Sequence, residues 1–123
     1  MSLSIGCRRQ VETPRIERDD VQVRLGIDGA HAPGSWNVLR VAARNHGALF
    51  HGAIEVTGCA GVRGDMPDPV TYRMPVEIAR DTAKEFAFPV RPEGWVSLRV
   101  TFAQPGFARS FLFEDLRLAQ PAP

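Results

Sequence analysis

Apolar and polar residues alternate one by one over most of this chain. Val21, Val23, Leu25 and Ile27 interleave with Gln22, Arg24 and Gly26. Leu39, Val41 and Ala43 alternate with Arg40, Ala42 and Arg44, and Ile54 and Val56 with Glu55 and Thr57. A repeat of two marks a half-buried β-strand, whose successive side chains point to opposite faces. The pattern predicts seven strands: Val21–Ile27, Trp36–Asn45, Phe50–Thr57, Val70–Ala79, Lys84–Val90, Trp95–Ala103 and Phe107–Leu118, the last kinked near Glu114-Asp115. Clusters of Gly, Pro, Asn and Asp separate them. No segment sustains a 3.6-residue apolar period, so no helix is expected.

Asn45-His46-Gly47 predicts a turn that joins the second and third strands as an antiparallel hairpin. Gly58 to Pro69 reads as the longest loop. Pro75 lacks an amide donor, so the fourth strand is an edge or is broken there. Residues 1–19 read as a polar, irregular segment, 20–118 as the strand-rich domain and 119–123 as a tail. Within the first of these, Arg15-Ile16-Glu17-Arg18-Asp19-Asp20 carries mixed charges and reads as solvated. One buried and one solvated face per strand suits two antiparallel sheets packed face to face. The expected fold is therefore all-β, an antiparallel two-sheet immunoglobulin-like sandwich of about seven strands.

Composition narrows the function classes. A length of 123 residues fits one domain with a core of its own. The formal net charge is +1, so no basic excess points to a nucleic-acid partner. No apolar run reaches the ~20 residues of a membrane-spanning helix, and no membrane insertion is expected. Met1-Ser2-Leu3 looks like an added start, and the Ala, Gln and Pro at the other end trail off, as in a module cut from a longer polypeptide. Cys7 and Cys59 could pair in an oxidising compartment, but two unpaired thiols are the plainer reading.

Gly34-Ser35-Trp36-Asn37-Val38-Leu39-Arg40-Val41, Arg44-Asn45-His46-Gly47 and Phe50-His51-Gly52-Ala53-Ile54-Glu55-Val56 form a Gly-x-Trp opening, a strand ending in Asn-x-Gly, and an aromatic-x-Gly partner. Pro75-Val76-Glu77-Ile78, Ala83-Lys84-Glu85-Phe86 and Ser97-Leu98-Arg99-Val100 continue the scheme. This resembles bacterial immunoglobulin-like or fibronectin-III-like modules near the N-terminus of large extracytoplasmic, membrane-anchored proteins. The resemblance covers roughly residues 21–103. It departs at Asn37, where proline or threonine is common, and in the longer loop at Gly58 to Pro69. It implies an extracytoplasmic setting and carries no catalytic residue or cofactor.

Candidate chemistry is sparse. Trp36, Trp95 and Tyr72 could form an aromatic platform for sugar rings, although both tryptophans capping the core is the plainer reading. Phe86, Phe88, Phe102, Phe111 and Phe113 fit core alternation. His46 and His51 flank the expected hairpin and could meet across it, with Asp65 as a third group of a small enzyme or metal site. His31 completes the histidines, and turn histidines without a ligand role are the simpler account. Asp28, Asp65 and Asp68 could offer oxygens to calcium, or act as turn formers. Arg63-Gly64-Asp65 spells an integrin-binding tripeptide that chance also supplies. Ser35, Ser97 and Ser110 lack a nucleophile elbow. Glu55 and Glu77 fall on outward positions, where solvated charges belong.

The expected role is a non-enzymatic accessory, adhesion or spacer module of a bacterial envelope or secreted protein. Its partner, a protein or a glycan, would bind at loops or strand edges, and edge strands could pair between copies. A carbohydrate-binding module is the alternative, and a small β-fold enzyme or metal-binding protein the second.

Overall fold

The computed structural model describes residues 12–26, 36–60, 70–92 and 95–114. Seven strands follow a 3-10 turn at Arg18–Asp20: β1 (Val21–Leu25), β2 (Asn37–Asn45), β3 (Phe50–Ala60), β4 (Thr71–Ile78), β5 (Thr82–Val90), β6 (Trp95–Gln104) and β7 (Phe107–Phe113). They form a three-stranded sheet, β1-β2-β5, and a four-stranded sheet, β4-β3-β6-β7. Every pairing is antiparallel. The fold is an all-β sandwich of two antiparallel sheets.

The apolar half of each alternation faces the space between the sheets. Leu39 and Val41 of β2 and Phe88 and Val90 of β5 are buried from one side. Phe50, Ile54 and Val56 of β3, Ile78 of β4, and Leu98, Val100 and Phe102 of β6 are buried from the other. Each such side chain contributes roughly 1.5–3 kcal/mol by leaving water. Phe102 lies at the centre of an edge-to-face cluster, 5.8 Å from Phe50 and 6.1 Å from Phe111 between ring centroids. Phe113 is buried too, and Phe86 is half-buried against the core.

The expected hairpin between the second and third strands is not formed. β2 and β3 belong to different sheets, and residues 46–49 carry the chain from one layer to the other. Alternation tells which side of a strand is buried, not which strand it pairs with, and both strands face the same core from opposite layers. The link from β4 to β5 crosses in the same way, through Asp81 at φ 57°. Sequential strands pair at β1–β2, β3–β4 and β6–β7 instead.

Several strand ends differ from expectation, and β5 begins two residues early at Thr82. β1 stops at Leu25 because Gly26 turns away at φ 89° and gives its N–H to the Val38 carbonyl at 2.8 Å. β3 continues to Ala60, into the stretch expected to be loop, and β7 ends at Phe113. β4 is an edge strand, unbroken at Pro75, which sits opposite Ala53. No helix among the described residues is long and apolar enough to cross a membrane.

Candidate functional site

The strand directions divide the connections between two ends of the sandwich. One end holds the short links 46–49, 79–81 and 105–106. At the other lie the strand ends that bound the longer links, Leu25 and Asn37, Ala60 and Thr71, with Val90 and Trp95 beside them.

The short-link end is closed by the segment before β1. This strap, residues 12–20, is not the solvated run its charges suggest: Ile16 is fully buried in the core and Pro14 is buried beside it. The Ala48 N–H donates to the Thr13 carbonyl at 3.0 Å and the His46 N–H to the Arg15 carbonyl at 2.9 Å. Gly47 lies under this crossing, where a Cβ would stand 2.4 Å from the Thr13 carbonyl oxygen. Only glycine allows the strap to pass so close.

Asn45 fixes the arrangement from below, with none of its surface exposed. Its Oδ1 accepts from the Arg15 N–H at 3.0 Å and the Gly47 N–H at 2.9 Å. Its Nδ2 donates to the Ala48 carbonyl at 2.7 Å and the Ile78 carbonyl at 2.9 Å. The Asn45 carbonyl also accepts from the Asp81 N–H at 2.7 Å. Through its side chain Asn45 thus joins the strap, the β2–β3 link and the end of β4, and through its backbone carbonyl the β4–β5 turn. The Asn-x-Gly pattern is therefore a hub and a gap, not a hairpin turn.

Strap carboxylates meet bases from three separate places. Glu12 pairs with Arg80. Glu17 pairs with Arg109 of β7 at 3.2 Å, and Asp20 with His46 Nε2 at 2.9 Å. The Arg18 guanidinium lies 4.0 Å from the Phe113 ring centroid. Burial works against the charge of Asp20, but the Glu17 N–H, the His46 ring and Arg44 outweigh it and hold the carboxyl below its ordinary value.

The long-link end gathers the three aromatic candidates. Trp36 directly precedes Asn37, which pairs with Val90 at the end of β5. Tyr72 and Trp95 meet edge to face, 6.2 Å between ring centroids. The Trp95 indole lies over Gly58, where a Cβ would stand 1.8 Å from its Cε2. The Tyr72 hydroxyl accepts from the Arg91 N–H at 3.0 Å. Since β4 and β5 lie in different sheets, this bond braces one layer against the other. Tyr72 and Trp95 are half-buried caps on the core, whereas Trp36 is 65% exposed. The three share an end but not a flat platform, because the two in contact are crossed.

The remaining candidates are dispersed. His46 is bound to Asp20, while His51 faces outward on β3, 3.3 Å from Glu77. No group of three or more metal-ligating side chains forms among the described residues. Glu55 pairs with Arg73 at 3.2 Å, and Ser110 with Thr101 at 2.8 Å. Cys59 carries a free, half-buried thiol. Cys7, Asp28, His31, Ser35, Arg63, Asp65 and Asp68 lie outside the described residues.

These features define a class: a seven-stranded β-sandwich module, strapped shut at one end and bearing its longer connections at the other. Within that class the chain belongs to the DUF8726 family, a domain of unknown function, which matches residues 20–110. The matched span holds Asn45, Gly47 and all three aromatic candidates. No curated protein matches the chain.

Proposed function

We propose that the chain is a non-enzymatic accessory, adhesion or spacer module of a bacterial envelope or secreted protein. The observation that carries this reading is the division of labour between the two ends. One end is sealed by Asn45 and the strap. At the other, the Tyr72–Arg91 brace holds the bases of the longer connections, the usual place for binding residues on a rigid sandwich. The strand order supports kinship with fibronectin type III domains. In constant-type immunoglobulin domains the fourth strand joins the first sheet; here it pairs with the third strand, giving three strands against four. His46 and His51 each serve a different ion pair, which favours structural duty over catalysis. Fractionation of the source cells with an antibody to the chain tests the proposal. Recovery with the envelope or the medium supports it, and recovery in the cytosol overturns it.

The exposure of Trp36 favours one second reading, a carbohydrate-binding module. It predicts that a glycan quenches or shifts tryptophan fluorescence and that Trp36→Ala abolishes the response. An unchanged spectrum across a glycan panel ends that reading.

A further inference from the structure

Each sheet leaves two edge strands, β1 and β5 on one and β4 and β7 on the other. An edge offers a row of unpaired N–H and C=O groups to any other strand, and proteins blunt it with proline, charge, short length or a bend. Three of the edges are blunted. β1 has 5 residues, carries Arg24 outward and ends at Gly26, where the chain bends at φ 89°. β4 carries Pro75, and β5 carries Lys84 and Pro89.

β7 differs. Phe107-Ala108-Arg109-Ser110-Phe111-Leu112-Phe113 holds no proline, lysine or acid. Its one charge, Arg109, is neutralised by Glu17 at 3.2 Å and lies 5.3 Å from the Phe111 ring centroid. The strap reaches β7 through side chains, Glu17 on Arg109 and Arg18 over Phe113, and not through its backbone. Among the described residues only β6 pairs with β7, so the far side of its backbone is unpaired. Leu112 adds an apolar side chain, 40% exposed, on the outer face.

The strand is also close to palindromic about Ser110. Laid antiparallel on itself across that residue, Phe107 stands opposite Phe113, Ala108 opposite Leu112 and Arg109 opposite Phe111. Aromatic and apolar pairs in opposed positions stabilise a sheet. Keeping each side chain on its own face lets the pairing axis move only to Arg109 or Phe111 and beyond. At Arg109 it sets one guanidinium against the other, a destabilising like-charge pair. At Phe111 it leaves Phe107 and Ala108 with no opposite in β7.

We propose that β7 pairs antiparallel with β7 of a second copy, on a two-fold axis at Ser110, and fuses two four-stranded sheets into one. The near-palindrome selects a second copy over an unrelated strand. Growth stops at the dimer, because the edges that remain on the fused sheet are the two β4 strands with Pro75. The proposal deepens the reading of the chain as a binding module but fails separately. A cytosolic chain would end the envelope assignment and leave the pairing intact, and a monomer would do the reverse.

Sedimentation equilibrium of the full chain should show a reversible dimer. Ala108→Lys/Leu112→Lys sets lysine against lysine twice and should raise its dissociation constant at least about tenfold. Gln22→Lys/Ala87→Lys, exposed on the other sheet, should change it by no more than about twofold. A disulfide test decides the register even if the first lysine variant fails to fold. In a Cys7→Ser/Cys59→Ser background, Ser110→Cys brings two thiols together at a Cα separation of about 4.5–5.5 Å, which a disulfide spans. Mild oxidation should link it to itself. Ala108→Cys should link only when mixed with Leu112→Cys. The proposal is overturned by a chain that stays monomeric up to about 1 mM, by assembly beyond the dimer, or by a dimer that the folded Ala108→Lys/Leu112→Lys variant retains. It is equally overturned if Ala108→Cys alone links as fast as Ser110→Cys.

Discussion

The two ends of the sandwich are made from the same seven strands, yet they hold together by different means. At the strapped end a buried side-chain amide satisfies four backbone groups, and three carboxylates each find a base from a different element. At the long-link end the sheets are spanned by a tyrosine hydroxyl and capped by a crossed pair of aromatic rings. Both ends use a glycine to admit something close. Gly47 admits the backbone of the strap, and Gly58 admits the indole of Trp95. A buried polar hub tolerates no missing partner, whereas an aromatic cap can shift and still exclude water. The first end is held by polar contacts, and the second by packed rings.

The most forceful way to break this contrast is Asn45→Ala. It strands the Arg15 and Gly47 N–H groups and the Ala48 and Ile78 carbonyls, and should cost about 3–5 kcal/mol in urea denaturation. Ile16→Ala should follow at about 2–4 kcal/mol, because it empties a fully buried site under the strap. Amide exchange should then accelerate at Arg15, His46 and Ala48 before it does in β6. Gly58→Ala probes the other end. Its methyl collides with the indole and should cost about 1–3 kcal/mol, with a red shift of Trp95 emission and the strap left protected. Tyr72→Phe removes one hydrogen bond and should cost about 1 kcal/mol.

Acid gives the smallest effect and the sharpest sign. The folded carboxyl of Asp20 sits below its ordinary value of 3.8. Its pairing therefore stabilises fully above that value and is lost as the pH falls through the lower folded value. The pair is partly exposed, so the contribution should be about 1 kcal/mol or less. A stability profile from pH 6 to about pH 2 should lose this component in Asp20→Asn. An unchanged profile would show that the Asp20–His46 pair adds nothing to the strap's hold.

Much of this was legible in the sequence. Period-two alternation located all seven strands and the buried side of each, and Pro75 correctly limited the fourth strand to an edge or a break. Pairing was less legible, because a link of a few residues can either turn a hairpin or cross a sandwich, and 46–49 crosses. The strap was hidden for a related reason. Ile16 is a single apolar residue among charges, and a segment anchored through its backbone leaves no periodic trace. Asn45-His46-Gly47 was visible as a motif, but its role depends on residues thirty positions away. Of the aromatic candidates, Trp95 caps the core as the plainer reading held, while Trp36 does not. Spacing along a strand cannot tell which residue at its mouth is covered.

The strap has a mechanical consequence. Tension applied through the residues before Glu12 reaches the Glu12–Arg80 pair first, then the Thr13 and Arg15 bonds, then the Ile16 plug, before it loads β1. Those contacts would give way in sequence, like a zip, not together as the ladder between β1 and β2 must. Fully extended, residues 12–20 span at most about 30 Å, and peeling them takes the Arg15 N–H from Asn45. In a module built this way, load from that side meets the strap before the sheets.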